Sequence, residues 1–308
     1  MKKYYRVMLG EKSNLAPRCF AENFIGAGYG MDQDLSGKLT EDWRLFNREF
    51  IPVYLQLHPQ KGRIAAGLAC GTLWTIAKGI REGDLVLSPN GENGYRIGEV
   101  VAGYTFHSGD ILPHQRRVHW LEKVIERDDL GTELRNSAGA RGTVCDISKY
   151  STEIERLISG QAPRPVLPDG ESVEDPTMFA LEKHLEDFLV ENWMQTELGK
   201  QYVIYSDDGE QVGQQFPTDT GPIDILAISK DQKRLLVVEL KKGRASDAVI
   251  GQVLRYMGFV QGELAEEDQT VHGVIIALED DQRIRRALAM TTNIEFYRYQ
   301  ISFKLVKG

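Results

Sequence analysis

The sequence lacks a long apolar run, a cysteine framework and an excess of positive charge. No segment approaches the roughly 20 apolar residues of a membrane-spanning helix, and the N-terminal MKKYYRVMLGEKSN has no apolar signal-peptide centre. The three cysteines and six histidines are scattered without metal-ligand spacing, which argues against a zinc site and fits buried thiols in a reducing compartment. We therefore expect a cytoplasmic protein with no membrane partner, and we expect no nucleotide cofactor.

Charge is distributed unevenly along the chain, whose net charge is −8. Residues 1–170 hold 22 Lys and Arg against 21 acids, whereas residues 171–308 hold 15 against 24. An acidic surface repels phosphate except where basic residues concentrate. The bulk charge therefore does not favour a nucleic-acid partner, and any contact with nucleic acid must be local.

The 308 residues are enough for two ordinary domains. The segment SGQAPRPVLPDGESVEDP contains four prolines in eighteen residues, a composition typical of an extended linker. We therefore predict an N-terminal domain over residues 1–158, a linker over 159–176 and a C-terminal domain over 177–308.

The N-terminal domain is predicted to be a small curled β domain with a helix. Short strands are expected at YYRVML, FIGAGYGMDQDLSG and FIPVYLQLH, followed by a helix from Arg63 to Lys78 with apolar residues at helical spacing. A strand–turn–strand unit then covers IREGDLVLSPNGENGYRIGEVVAGYTF, another strand covers RRVHWLEKVIERDDL, and STEIERLI forms a closing helix.

The C-terminal domain alternates helices and strands. TMFALEKHLEDFLVENW predicts a helix, and further helices are expected at residues 246–260 and over DDQRIRRALAMT. Strands are expected over VHGVIIAL and IEFYRYQISFKL, in addition to a hairpin within residues 221–243. Because strand, helix and strand follow one another, a right-handed crossover and a mixed sheet are expected, so the predicted fold class is α/β.

The hairpin GPIDILAISKDQKRLLVVELKKG is the stretch that organises the C-terminal domain. If its loop is centred on Asp231 and Gln232, Asp224 lies directly opposite Glu239, with β carbons roughly 5 Å apart. Side chains alternate along a strand, so Glu239 and Lys241 project from the same face. The pattern therefore predicts two acids and an amine on one side of an apolar ribbon.

A solvated outer face is the usual location of Glu and Lys in strands, but LLVVEL is apolar on both faces, which is typical of a covered strand. A carboxylate pair placed there loses hydration and repels itself unless a cation compensates. Mg²⁺ takes oxygen ligands from one or two carboxylates together with water and phosphate, so the spacing points to metal chemistry.

These residues resemble a known signature. An Asp early in one strand, followed by Glu-x-Lys near the end of the next, resembles the PD-(D/E)XK nucleases. FPTDTGPIDILA and VVELKKGRASDAVIGQVLRYMGFV are similar to the core of NucS-type and related Mrr-type endonucleases, over about residues 175–305. The resemblance implies a restriction-endonuclease-like mixed-sheet domain in which Mg²⁺, or Mn²⁺ in its place, is bound by Asp224, Glu239 and the backbone carbonyl of Leu240.

Lys241 would then orient a water molecule or stabilise negative charge in the transition state. The electrostatic role is the simpler one, because an unperturbed Lys is a poor base. In the alternative interpretation, Lys241 neutralises Asp224 and Glu239 as a structural ion pair.

The resemblance implies further site residues on the flanking helices. Gln252 is placed beside the metal site and shares a helix face with Tyr256, although an ordinary amphipathic helix gives the same spacing. Glu182 matches the helix acid of the family, with Glu186 as a competing candidate. The predicted DNA contacts of this domain are Lys242, Arg244, Arg255 and Tyr256.

The phrase EGDLVL…YRIGEVVAGY resembles PUA-like and EVE-like reader domains, which implies recognition of a modified base. An aromatic cage that stacks a flipped base would draw on Tyr29, Trp43, Tyr104 and Trp120, with Asp32 to read a base edge. Most such aromatics are simply core residues. Arg116 and Arg117 are candidate phosphate clamps, or ordinary strand residues.

Together these features predict a metal-dependent endodeoxyribonuclease that acts on double-stranded DNA, with restriction of modified foreign DNA as the expected role. A NucS-like nuclease for mismatched or branched DNA is the first alternative, although the chain stops soon after the last predicted strand, leaving no tail for a sliding-clamp peptide. The second alternative is a DNA-binding module that does not cut. A homodimer is expected by analogy, because a double-strand cut needs two active sites.

Overall fold

The computed structural model describes residues 2–139, 142–160, 176–207 and 209–300, with the backbone alone at 132, 133, 136 and 176–183. The chain divides into two compact units, Met1–Leu167 and Pro168–Gly308. The predicted linker at 159–176 falls almost entirely outside the described residues, so its conformation stays a prediction.

The N-terminal unit contains six strands and five α-helices among its described residues. The strands are β1 Tyr4–Val7, β2 Phe24–Ala27, β3 Leu85–Pro89, β4 Gly94–Phe106, β5 His114–Glu126 and β6 Val144–Asp146. The helices are α1 Ala16–Glu22, α2 Trp43–Leu57, α3 Arg63–Trp74, α4 Thr132–Ala138 and α5 Ser151–Ser159. A π-helical turn, Thr75–Gly79, extends α3, and short 3-10 turns occupy Glu11–Ser13, Arg127–Asp129 and Ser148–Tyr150.

The six strands form one sheet in the order β2-β5-β4-β3-β1-β6, in which only β1 and β3 run parallel. Its two faces are both covered. Tyr5 and Val86 belong to one buried cluster with residues of α2 and α3, whereas Tyr4 and Leu85 belong to another cluster with residues of α4 and α5. Because both faces are covered, consecutive residues of these strands are apolar and buried: Tyr4 and Tyr5 in β1, and Leu85 and Val86 in β3.

One predicted strand of this unit is wrong. The segment FIPVYLQLH lies in the second half of α2, despite Pro52 inside the helix. Phe46, Phe50 and Tyr54 recur at four-residue spacing and are all buried, so one apolar helix face packs on the core. The apolar run is therefore one side of a longer helix rather than an extended strand.

The C-terminal unit contains eight strands and three α-helices among its described residues. The strands are β7 Tyr202–Ile204, β8 Ser206–Asp207, β9 Glu210–Gln211, β10 Gln214–Phe216, β11 Ile223–Ser229, β12 Arg234–Arg244, β13 Thr270–Glu279 and β14 Ile294–Arg298. The helices are α6 Pro176–Glu191, α7 Ala248–Phe259 and α8 Gln282–Leu288, with a 3-10 turn at Trp193–Gln195 and a π-helical turn at Val260–Leu264.

The main sheet of this unit has the order β10-β11-β12-β13-β14, and β7 also pairs with β11. Strands β12, β13 and β14 are parallel, while β11 is antiparallel to β12, which confirms the expected mixed α/β sheet. Helix α7 lies close against β13: a Cβ at Gly273 would come within 2.6 Å of Val253 and 2.7 Å of Met257. The final predicted strand is observed as β14, which ends at Arg298. Its predicted residues beyond 300 lie outside the described part.

Within the described residues, no helix is both long and apolar enough to cross a membrane.

Candidate active site

The two predicted acids face each other across the β11–β12 hairpin. Ile225 pairs with Val238 and Ile228 with Leu235 in one continuous antiparallel register. Continuing that register by one residue places Asp224 opposite Glu239, on the same face of the sheet. The hairpin alignment that the sequence predicted is therefore the alignment in the structure.

Asp224 is fixed by hydrogen bonds at both carboxylate oxygens. The backbone N–H of Leu240 donates to Oδ2 at 2.7 Å, and the Gln215 side-chain amide donates to Oδ1 at 3.2 Å. Burial, followed by the charge of Glu239, raises the pKa of Asp224 well above its ordinary value of 3.8, although the Leu240 N–H opposes this shift. A nearby positive charge would therefore stabilise the ionised form.

Lys241 provides part of that positive charge. Its Nζ lies 3.1 Å from Oε1 of Glu239, and the Glu239 residue is only 2% exposed. Lys241 also lowers the pKa of Asp224 through its charge, so the ammonium acts on both acids. The three residues predicted to form the core of the site are thus brought together on one face of the hairpin.

Glu186 of α6 is a site residue that the sequence placed second. It is 4% exposed, and its Oε2 accepts a hydrogen bond of 2.6 Å from Gln215, the same amide that contacts Asp224. The charge of Glu186 also raises the pKa of Asp224. The side chain of Glu182, the first candidate, lies outside the described residues, so its predicted role stays a prediction.

Helix α7 contributes two residues beside the acids. Gln252 Nε2 donates to the Tyr256 hydroxyl at 3.3 Å, and the pKa of Tyr256 is raised first by burial and also by the charges of Glu239 and Asp224. Tyr256 is only 4% exposed. It was predicted to contact DNA, but its burial instead makes it part of the wall of the site, with Gln252 next to it.

The basic residues that follow Lys241 lie around a β-bulge. The register between β12 and β13 shifts between Lys241 and Arg244, so β12 carries one extra residue there. The Tyr299 hydroxyl donates to the backbone carbonyl of Lys242, and Arg244 contacts Glu279 at 3.3 Å. Arg244 and Arg255 are exposed and Lys242 is half-buried, and the role of these three residues as DNA contacts stays a prediction.

Arg116 of β5 does not reach the surface as a phosphate clamp. It is 6% exposed, and its guanidinium donates to the backbone carbonyls of Ile76 at 2.6 Å and Ala77 at 2.7 Å in the π-helical turn. A guanidinium occupied in this way serves the fold, so the prediction for Arg116 is corrected. The adjacent Arg117 is exposed and stays a candidate.

The proposed base-reading residues already make contacts within the N-terminal unit. The Tyr29 hydroxyl is 2.7 Å from Thr143 Oγ1, and Asp32 accepts from the Gly109 N–H at 3.1 Å. The guanidinium of Arg44 lies 4.7 Å from the centre of the Trp43 ring. The remaining two are Tyr104, whose hydroxyl binds His114 and Leu35, and Trp120, whose indole donates to the Cys19 carbonyl.

Trp120 is a core residue, buried at 7% exposure with Phe20 packed edge-on against it. It is therefore unsuited to stack a base, and its prediction is corrected. For Tyr29, Asp32, Trp43 and Tyr104 the contacts leave the reading role a prediction.

The donor set of the acid pair fits a hard divalent cation. Asp224, Glu239 and the Leu240 carbonyl supply oxygen atoms alone, which is the ligand type that Mg²⁺ and Mn²⁺ take. Within the described ranges, no group of three or more His, Cys, Asp and Glu side chains is arranged to hold a metal ion. A metal here would therefore depend on two carboxylates, a backbone carbonyl and oxygens from water or substrate.

Two family models match separate parts of the chain. The model described as the endonuclease NucS C-terminal domain matches residues 182–304, which confirms the NucS-like resemblance of the C-terminal unit. Residues 5–148 match a domain of unknown function (DUF8426), so the PUA-like resemblance of this part stays a prediction. No protein in the curated set matches the chain.

Three solved structures are similar to this chain at low identity, and the chain covers less than two thirds of the length of each. A complex of EndoMS with double-stranded DNA covers 71% of this chain and 66% of its own chain, at 14% identity and a TM-score of 0.32. A repair endonuclease from Pyrococcus abyssi covers 69% and 66%, at 16% identity and a TM-score of 0.31. MspJI restriction endonuclease with a 27-mer oligonucleotide covers 81% and 62%, at 10% identity and a TM-score of 0.23. These TM-scores are too low to support an argument, so the NucS-like resemblance of residues 182–304 rests on the family model alone.

Proposed function

We propose that this chain is a metal-dependent endodeoxyribonuclease that hydrolyses phosphodiester bonds in double-stranded DNA. The observation that carries this proposal is the convergence of Asp224, Glu239 and Lys241 on one face of the β11–β12 hairpin. The match of residues 182–304 to the NucS C-terminal domain supports the same chemistry.

Each of the three residues has a role that follows from its contacts. Asp224 and Glu239, together with the Leu240 carbonyl, would hold Mg²⁺ or Mn²⁺; the hydrogen bonds from Leu240 and Gln215 orient the Asp224 carboxylate. When bound, the cation lowers the pKa of a coordinated water and neutralises charge on the scissile phosphate.

Lys241 contributes a second positive charge beside the acids. Its ammonium, 3.1 Å from Glu239, stabilises negative charge that develops on the phosphate oxygens. Removing a preorganised charge of this kind lowers kcat by roughly 100–1000-fold. The structural ion-pair interpretation predicts instead that Lys241 affects folding stability and leaves cleavage unaffected.

The first proposed role is restriction of modified foreign DNA, with the N-terminal unit selecting the substrate. Residues 5–148 match a different family from the C-terminal unit, so the selectivity of NucS-type enzymes is not carried over to this chain. Repair of mismatched or branched DNA is the second candidate, because the family model of the cutting unit is that of NucS.

The decisive experiment incubates the purified full chain and Mg²⁺ with matched plain, methylated, hydroxymethylated and mismatched duplexes. Cleavage of a modified duplex alone is expected; cleavage of the mismatched duplex alone would favour the repair role. Asp224→Ala is expected to abolish cleavage while DNA binding persists, and Lys241→Met is expected to lower kcat by roughly 100–1000-fold. If the unaltered protein binds DNA and cuts none of these substrates, the chain is a binding module instead.

We further propose that the active form is a homodimer, because hydrolysis of both strands needs two active sites. Sedimentation of the protein with and without duplex DNA measures this directly. A monomer on a DNA that it cuts on both strands would contradict the proposed dimer.

A further inference from the structure

Strand β10 has an unusual backbone at the position that faces Asp224. Gln214 pairs with Ile225 and Phe216 with Ile223, so the same register sets Gln215 opposite Asp224. Gln215 has φ of +50°, the left-handed region that residues other than glycine rarely occupy. Asp224 is therefore flanked on one side by Glu239 of β12 and on the other by a strained glutamine.

The left-handed backbone changes where the side chains of β10 go. Consecutive residues of a regular strand project to opposite faces, yet both Gln214 and Gln215 contact Glu186 of α6. Gln214 Nε2 donates to Glu186 Oε1 at 2.7 Å and to Asp187 Oδ1 at 2.9 Å. The strained residue thus allows two neighbouring amides to serve one group of acids.

Gln215 alone of these two amides extends the group to the active site. Its Nε2 donates to Glu186 Oε2 at 2.6 Å and to Asp224 Oδ1 at 3.2 Å. One neutral NH₂ group therefore lies between two acids that would otherwise repel each other, and it gives one hydrogen to each. Because the amide cannot ionise, it separates these carboxylates without adding charge.

We propose that Gln215 is a positioning residue that sets the orientation of the Asp224 carboxylate for cation binding by tying it to Glu186. The inference rests on the proposed nuclease function, since it concerns the same acid. Strain at a non-glycine residue persists when the surroundings require it, and here the requirement is the contact between Gln215 and the two acids. The Leu240 N–H fixes the other oxygen, so Asp224 is held from both neighbouring strands.

The test compares Gln215→Met with Gln214→Met in the full-length protein. Each variant keeps the side-chain length and removes one amide that bridges two carboxylates, but only Gln215 reaches Asp224. Mn²⁺ affinity is measured by calorimetry without DNA, kcat and KM are measured on a cleaved duplex, and thermal unfolding reports on folding.

Loss of a partner that orients a metal ligand lowers metal affinity or activity by roughly 10–100-fold. Gln215→Met is expected to lower Mn²⁺ affinity and kcat within this range while KM for DNA stays near that of the parent, and Gln214→Met is expected to lose less. Gln215→Leu, which also removes both donors and adds no charge, is expected to behave like Gln215→Met and serves if that variant does not fold.

Equal losses in the Gln214 and Gln215 variants would overturn the inference, and so would an unchanged Mn²⁺ affinity in the Gln215 variants or no Mn²⁺ binding by the parent. If the parent binds Mn²⁺ but cuts no DNA, the proposed function fails, and the Mn²⁺ affinities of the variants still decide the role of Gln215.

Discussion

The buried charged side chains of the two units have different interaction partners. In the N-terminal unit, Arg6 and Arg116 donate to backbone carbonyls, and Asp84 accepts from the backbone N–H groups of Lys3 and Arg81. In the C-terminal unit, the buried Glu186 and Glu239 are neighbours of the half-buried Asp224, and desolvation, together with their charges, raises the pKa of Asp224.

His114 shows the first pattern in detail. Its Nε2 donates to the Met31 carbonyl at 2.7 Å, so Nδ1 of the neutral ring accepts from the Tyr104 hydroxyl at 2.9 Å. Burial lowers the pKa of this ring, in keeping with the neutral form.

The comparison separates structural charges from functional ones. A buried group whose partners are backbone dipoles stabilises the local chain, and nothing in its surroundings calls for another ion. Carboxylates that lie close together destabilise each other unless a cation binds between them. Side chains whose pKa values are perturbed in this way cluster at functional sites. The difference assigns Arg116 to folding and supports the proposed role of Asp224 in metal binding.

Arg116→Met tests the structural half of the comparison and has the largest expected effect on stability. It leaves the Ile76 and Ala77 carbonyls without their buried donor, which lowers the free energy of unfolding by roughly 2–4 kcal/mol. The matched control is Arg117→Met on the same strand, where exposure predicts a change within about 0.5 kcal/mol. Chemical denaturation measures both, and similar values for the two variants would contradict the assignment.

The pH dependence of stability tests the functional half. Because the folded pKa of Asp224 is raised above 3.8, its contribution to stability is fully present below pH 3.8 and is lost as pH rises through the raised pKa. The metal-free parent is therefore expected to lose stability relative to Asp224→Asn as pH increases, in thermal unfolding across a pH series.

Asp231, in the loop of the same hairpin, provides a control of opposite sign. Hydrogen bonds from Ser229 and from the Lys233 N–H lower its pKa, so its contribution is present above pH 3.8 and is lost as pH falls through the lowered pKa. The parent is therefore expected to gain stability relative to Asp231→Asn as pH increases, which is the opposite of its trend relative to Asp224→Asn. A parallel trend in the two variants would refute the distinction between crowded and hydrogen-bonded acids.

Tyr299→Phe has the smallest expected effect on stability. It removes a structural hydrogen bond within the C-terminal unit. The Tyr299 hydroxyl crosses the end of β13 to reach the Lys242 carbonyl in the bulge. Its loss is expected to cost about 1 kcal/mol and to speed amide hydrogen exchange at residues 242–245.

Tyr297→Phe is the matched control, since the Tyr297 hydroxyl contacts only Glu295 of its own strand among the bonds that the structure describes for it, at 3.0 Å. Exchange at the bulge should stay at the parent rate in this variant. Equal exchange in both variants would show that Tyr299 does not hold the bulge.

The central hairpin could be predicted from the sequence because its pairing depends on local information. A short polar loop joins two apolar runs, and centring the hairpin on Asp231 and Gln232 sets Asp224 opposite Glu239, as in the structure. The resemblance of GPIDILA and VVELKKG to nucleases then supplied the chemistry.

The features that the sequence did not reveal depend on distant contacts. Nothing in RRVHW shows that Arg116 turns inward to a π-helical turn forty residues earlier, because strand arginines are usually exposed. Glu182 and Glu186 lie one turn apart on α6, and the contacts that place Glu186 near Asp224 come from Gln214 and Gln215, about thirty residues later in the chain. The second half of α2 was mistaken for a strand because FIPVYLQLH was considered apart from Phe46, which precedes it on the same helix face.

Because of the left-handed backbone at Gln215, selection for stability and selection for cleavage favour different residues at this position. Glycine at this position would relieve the unfavourable φ but would remove the amide that separates Glu186 from Asp224, so a library screened only for heat resistance should accumulate Gln215→Gly together with neutral replacements of these acids. A library screened for cleavage should instead retain the amide, because glycine has no group to offer to Glu186 or Asp224.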